Sequence, residues 1–220
     1  MDGKPQTPGD TGLTQVGMLT PMGQGGIAVL RGSLAPQGAV VKVAGIDYPP
    51  QVAVASQPLQ LNGAGLRYKF VVKVYTAGLY LPTQADTPEQ VMAETGPKRL
   101  HVVMLRDIDG NELGKLFTRG MQDNVPRAMF AQSITGTLRM AEIFARRKNL
   151  KAGQSFSVDW LPGVGTQISV NGEPEGAPIK EPEFFNALLS IWLGPNPAYE
   201  PLKDALLGKA ATERQKSTNN

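Results

Sequence analysis

The chain has 220 residues, 41% of them hydrophobic and 19% charged, enough apolar material for a core that needs no covalent staples. It contains no cysteine and one histidine, His101, which excludes thiol nucleophiles, disulfides, iron–sulfur clusters and cysteine zinc sites, and nearly excludes Ser-His-Asp triads and multi-histidine metal centres. The formal charge of +3 is mild and is not arranged as a basic stripe interleaved with aromatics, so no nucleic-acid partner is expected, and no apolar run reaches the length of a membrane span.

Residues 1–12 are rich in Gly, Pro and Asp and read as disordered. They lack the charged-then-apolar form of a secretory signal, so the chain as it stands is expected in the cytoplasm. Residues 23–45, GQGGIAVLRGSLAPQGAVVKVAG, place two apolar runs around a Gly/Pro loop, the pattern of a small strand pair. From residue 43 the signal becomes continuous. VAGIDYPPQV and PLQLNG read as short strands, and residues 66–81, LRYKFVVKVYTAGLYL, as one long strand. Residues 87–94 form a short helix with Thr87 as N-cap and Pro88 at its first position. Residues 98–106 are a strand. Leu113, Leu116, Phe117 and Met121 then recur at helical spacing, against which Gly110, Gly114 and Gly120 count. The clearest helix covers 126–148, starting at Pro126, with a stripe of Phe130, Ile134, Leu138, Ala141, Phe144 and Ala145. Arg146, Arg147 and Lys148 at its end complement the helix dipole. A hairpin with a PGVG loop follows, then a turn at Asn171-Gly172 and a strand near 177–180. An amphipathic helix spans 181–194 and a last short one 199–208, before a loose polar tail over 209–220. Strands first, helices in the middle, a hairpin and closing helices indicate α+β, with helices packed on an antiparallel sheet.

Alternate strand residues share a face. Leu66, Tyr68, Phe70, Val72, Val74 and Thr76 make an apolar face expected to meet the core. Arg67, Lys69, Val71, Lys73, Tyr75, Ala77 and Leu79 make the other. Lys69 and Lys73 fit a solvated sheet face, with stems along the sheet and heads in water. Arg67 follows Asn62-Gly63-Ala64-Gly65, where glycine permits a bend, and its planar fork suits either a structural salt bridge or an anionic ligand. Lys73 and Tyr75 share its face, and Tyr75 can donate a hydrogen bond to the same anion. His101 reads as structural, Trp160 and Trp192 as core. Asp107, Asp109 and Glu112 read as helix N-terminal acids, because they lack the ligand ladder of a calcium loop. No metal or cofactor is expected.

Two resemblances stand out. Residues 23–45 resemble the segment opening the carboxy-terminal domain of the dihydroxy-acid and phosphogluconate dehydratases, without that family's cluster cysteines, so residues 1–42 read as a fused fragment with no dehydratase chemistry. The run G-A-G-x-R followed by K-F-x-x-K-x-Y-x-A-G-L-Y-L, residues 63–81, resembles the opening of the chalcone isomerase fold. It is most similar to the bacterial chalcone isomerase-like proteins, and the likeness extends over residues 43–208. That resemblance implies an open-faced sandwich, an antiparallel sheet with helices layered on one face and a ligand cleft between them. In the plant isomerases the arginine of this motif stabilises the negative charge that moves during ring closure; in fatty-acid-binding members the same arginine and a tyrosine hold a carboxylate. Arg67 occupies that position. The isomerases' threonine aligns with Tyr75, with Thr76 adjacent. Their tyrosine falls near Leu113 and their asparagine near Gly120, for which Asn124 substitutes only if the helix register slips. The resemblance therefore implies a noncatalytic binder of a small amphipathic anion such as a fatty acid, with ligand contacts from Arg67, Lys73, Tyr75, Thr76 and Asn124. The alternatives are an intramolecular lyase acting on a flavonoid-like substrate, with Arg67 catalytic, and an accessory protein-interaction module. Bacterial relatives carry an export signal, which makes the periplasm the alternative compartment for the isolated domain.

Overall fold

Period-two apolar runs in the first half of the chain and again near residue 160 fold into strands that pair side by side. In the computed structural model, which describes residues 38–209, the elements in chain order are β1 (Val41–Val43), β2 (Ile46–Tyr48), β3 (Gln51–Val54), β4 (Gln57–Lys69), β5 (Val72–Leu81), α1 (Pro88–Ala93), β6 (Lys98–Met104), β7 (Ile108–Asp109), α2 (Gly110–Gln122), α3 (Arg127–Gln132), α4 (Ile134–Arg146), β8 (Asn149–Leu150), β9 (Ser155–Leu161), β10 (Gly165–Val170), β11 (Glu173–Pro174), α5 (Pro182–Leu193) and α6 (Glu200–Leu206). Seven strands form one antiparallel sheet in the order β11-β10-β9-β6-β5-β4-β3. The architecture is the α+β one expected. The predicted disorder of residues 1–12, the apolar run at 27–30 and the tail from 210 lie outside the described residues.

The helices cover one face of the sheet. Tyr75, Ala77, Leu79 and Leu81 of β5, Leu100, Val102 and Met104 of β6, and Phe156 and Val158 of β9 meet Phe117, Phe144, Phe184, Leu188 and Trp192 in one buried cluster. The β1–β2 hairpin covers part of the other face, where Tyr48, Val54, Leu59 and Tyr80 form a smaller core. Glycine makes both coverings possible. A side chain at Gly63 would collide with the Ala205 carbonyl oxygen of α6, and one at Gly78 would enter the Tyr48 ring. Arg99 and Asp159, register partners on β6 and β9, close a bidentate ion pair at 2.7 and 2.6 Å. The buried ammonium of Lys98 donates to the carbonyls of Val91 (3.3 Å) and Glu94 (2.5 Å), closing the carboxy-terminal end of α1.

Several expectations are corrected. Residues 66–81 are a hairpin with a two-residue loop at Phe70-Val71, and Arg67 pairs with Tyr75. Asn62–Gly65 is no bend but the middle of β4, with an irregularity in register between Leu61 and Gly63. From Tyr75 onward the faces are exchanged: the side carrying Tyr75, Ala77 and Leu79 meets the helices, because its small residues admit them, while Thr76 and Tyr80 face the β1–β2 side; Val74, at the register irregularity between Arg67 and Tyr68, meets the helix-side core as expected. The helix expected over 126–148 breaks at Ser133, whose hydroxyl donates to the Phe130 carbonyl (2.9 Å). Its buried face is Gly136, Thr137, Met140, Ile143 and Phe144, whereas Ile134 and Leu138 are exposed. The strand near 177–180 is a single bridge from Ile179 to Thr166. Val41–Val43 pairs with Ile46–Tyr48, so the first described hairpin starts just before residue 43.

Phe70 opens its two-residue loop at φ +56°, where hairpin turns favour glycine or asparagine. Its side chain is almost wholly exposed, so Phe70→Gly is expected to stabilise the fold by about 1 kcal/mol through relief of the left-handed backbone, measured by chemical denaturation. His101 lies edge-on to Tyr48 at 6.2 Å. Burial, reinforced by the Arg99 charge and opposed by Asp159, lowers its pKa. The unfolded chain therefore binds the proton first, and stability falls as pH drops below the ordinary histidine value of about 6.5, levelling off once the folded state protonates too. Denaturation midpoints between neutral and mildly acidic pH should show this slope in the wild type and a shallower one in His101→Gln.

Candidate functional site

The site begins with three side chains in one row across three strands. Arg67 on β4 is the register partner of Tyr75 on β5, which is in turn the partner of Met104 on β6. Their shared face looks toward α2 and α5. There a cavity of about 250 Å³ opens, lined by Arg67, Tyr75 and Met104 from the sheet, Leu113 and Phe117 from α2, and Ile191 from α5. Arg119 and Asp123, paired at 3.7 Å and largely exposed, lie on its rim. The remaining edge is the loop that follows α5, at Asn196–Ala198.

The chemistry is concentrated at Arg67 and Tyr75. The guanidinium carbon stands 5.5 Å from the centre of the Tyr75 ring, within cation–π range. The Arg67 Nε is buried and has no hydrogen-bond partner. Among the described residues no carboxylate lies within ion-pair distance of Arg67. The Tyr75 hydroxyl accepts a hydrogen bond from Trp192 Nε1 at 2.8 Å. Burial raises the Tyr75 pKa, opposed by the Arg67 charge, by the Trp192 bond and by the approach of the Arg67 N–H groups to the phenol oxygen, so the phenol stays protonated at neutral pH. Indole and guanidinium are donors only. The Tyr75 proton therefore has neither neighbour as an acceptor and, like the Arg67 Nε, is suited to an acceptor placed in the cavity.

Of the five residues singled out from sequence, the structure brings three to this cavity: Arg67, Tyr75 and Asn124. Asn124 is already committed. Its Nδ2 donates to the carbonyls of Gly120 and Asn196, both at 2.8 Å, and its Oδ1 accepts from the Asn196 N–H at 2.7 Å. It pins the loop after α5 to the end of α2, so a ligand would have to displace these bonds. Thr76 does not line the cavity. Strand pleating turns it to the other face, where its hydroxyl accepts from the Tyr48 O–H at 2.8 Å. Lys73 is exposed beside the hairpin loop and is not a lining residue either. Leu113 and Gly120, where the resemblance puts the isomerases' tyrosine and asparagine, both face the cavity and offer it no side-chain donor. Sequence reasoning placed Trp192 in the core but missed its bond to Tyr75, 117 residues away. No local pattern signals that bond. The Phe117 face of α2 was visible as helical spacing.

A family model described as chalcone isomerase-like matches residues 40–208. It takes in the last residues of the dehydratase-like stretch, and no comparison supports the dehydratase resemblance. No curated protein matches the sequence. Among solved structures, the crystal structure of a fatty-acid binding protein from Arabidopsis thaliana superposes with a TM-score of 0.58 at 13% sequence identity, covering 76% of this chain and 94% of that one. At that identity the likeness speaks for the fold. The family match spans most of the chain and agrees with the seven-stranded sheet, its helical layer and the cavity beneath it; this chain belongs to the chalcone isomerase-like family.

Proposed function

We propose that the protein is a noncatalytic binder of a small amphipathic anion such as a fatty acid. The observation that carries this reading is the Arg67 Nε, buried at the edge of an apolar cavity and lacking a partner. A carboxylate there would accept charge-assisted hydrogen bonds from Arg67 and one from the Tyr75 hydroxyl, and it would supply the acceptor that both groups lack. The hydrocarbon part would lie against Met104, Leu113, Phe117 and Ile191. At about 250 Å³ the space exceeds a cavity that holds benzene but falls just below the range of ordinary ligand pockets, which favours a short or medium acyl chain. The fatty-acid binding protein that shares the fold lends further support.

Ring closure is the weaker reading. Arg67 could steady an oxyanion, but the wall opposite it carries Leu113 and Gly120 rather than the polar residues of the isomerases. The protein is accordingly expected to leave the decay of a 2′-hydroxychalcone unchanged from buffer, with Arg67→Leu behaving as the wild type does.

Binding itself is tested by calorimetry with decanoate. The wild type should bind, and Arg67→Leu should lose roughly 10- to 100-fold in affinity, the scale of a buried charged hydrogen bond. Tyr75→Phe should lose less. No heat from decanoate or from shorter and longer acids with the wild type, or equal affinity in Arg67→Leu, would refute the assignment.

A further inference from the structure

The loop at Phe70-Val71 is not accounted for by the fold or by the cavity. Phe70 is 92% exposed and Val71 90%, more than any other large hydrophobic among the described residues, and Val72 follows at 41%. A phenylalanine at φ +56° is the wrong residue for this turn, so neither turn chemistry nor core packing explains the apolar tip. Lys69 and Lys73, both exposed, frame it. Arg106, also exposed, stands nearby, since the N–H of Leu105 bonds the Val74 carbonyl at 3.0 Å. The one carboxylate beside it in sequence, Asp107, is engaged by the Ala152 N–H at 2.9 Å.

The tip also projects. β3 pairs only with Gln57–Gln60 at the far end of β4. β6 accompanies β5 as far as Tyr75, with one further backbone bond at Val74. Residues 67–73 therefore run on as a two-stranded ribbon without sheet neighbours, ending in three apolar side chains between two lysines. An apolar end with cations at its shoulders matches the charge and depth profile of an anionic bilayer surface. Rings and aliphatics enter the headgroup–acyl boundary while lysine stems lie along the apolar layer and their ammoniums reach lipid phosphates.

We propose that the Lys69–Lys73 hairpin tip is a peripheral membrane-docking element, inserting Phe70 and Val71 into the interface of an anionic lipid bilayer with Lys69 and Lys73 on the headgroups. No helix among the described residues is long and apolar enough to cross a membrane, and docking by this tip needs none. Arg67 and Val74, which flank the tip in sequence, line the cavity, so docking would bring the cavity to the bilayer surface. The docking inference itself rests on the tip and stands whatever the cavity holds.

The test is co-sedimentation of the full chain with sucrose-loaded vesicles of phosphatidylcholine containing about one third phosphatidylglycerol, against pure phosphatidylcholine. The wild type should pellet with the anionic vesicles and release at high salt. Phe70→Ser/Val71→Ser should lose at least about tenfold in partitioning. Lys69→Gln/Lys73→Gln should lose roughly 25-fold, about fivefold per lysine. Thermal melts of both variants should stay cooperative because the side chains removed are exposed. Failure of the wild type to pellet, equal pelleting on neutral vesicles, or variants that pellet as the wild type does would overturn the proposal. So would a wild-type dimer that Phe70→Ser/Val71→Ser makes monomeric without vesicle binding, since the tip would then be a contact between copies.

Discussion

A guanidinium held against an apolar wall is tolerable only if something fixes its direction, and here that something is the Tyr75 ring. Arg67 and Tyr75 sit opposite each other on adjacent strands, the arginine lies over the ring, and the phenol is anchored from behind by Trp192 on α5. The chain Trp192–Tyr75–Arg67 thus joins the helical layer to the sheet and leaves the Tyr75 O–H and the Arg67 Nε–H as donors without an acceptor. Burial keeps Tyr75 neutral, so the inner wall presents a guanidinium and a phenol O–H beside Val74, Met104, Leu113, Phe117 and Ile191, with Arg119 and Asp123 on the rim. That polarity selects acceptors. A carboxylate satisfies it; an amine does not, and an alcohol satisfies it only in part.

The groups around that chain shape the space. Asn124 spends both donors and one acceptor site on Gly120 of α2 and on Asn196 in the loop after α5. Leu113 and Gly120 contribute shape and no proton. Asp123 is on the rim, largely exposed and beside Arg119. On the chalcone isomerase-like backbone, the helical wall of the cavity is lined mainly by apolar side chains, a difference that lies in side chains and not in architecture.

The same ribbon serves two ends. Its inner face carries Arg67 and Tyr75 into the cavity, and its free end exposes Phe70 and Val71. A hydrophobic acid partitions into bilayers, so a binding cavity whose anchoring arginine is three residues from a lipid-seeking tip shortens the path between the two. The strained turn at Phe70 fits this view. The residue best for the turn is not the residue present, which is the pattern expected where local stability yields to function.

Much of this was legible from residue order alone. Absence of cysteine and the single histidine removed whole classes of chemistry, Thr87-Pro88 marked a helix start that the structure reproduces, the acids Asp107, Asp109 and Glu112 were read as lying at a helix N-terminus, where Asp109 is the N-cap, and the Gly-Ala-Gly-x-Arg run with its following aromatics pointed to the family and to Arg67. Those features are local: caps, spacings and a motif carry their physics within a few residues. Which face of the β4–β5 ribbon is buried was not local. Alternation divides a strand into two sides but does not say which one a helix will cover, and here the side with Gly63, Gly65 and Ala77 wins because α6 and its neighbours can approach it closely. The same indifference to distance hid the loop inside 66–81, the break at Ser133, the turning of Thr76 to Tyr48 and the bond from Trp192 to Tyr75. Sequence by itself determined most of the elements and the charge carried into the site; only tertiary packing, which sets side chains more than a hundred residues apart within hydrogen-bond reach, decided where that charge points and what remains for a ligand to satisfy.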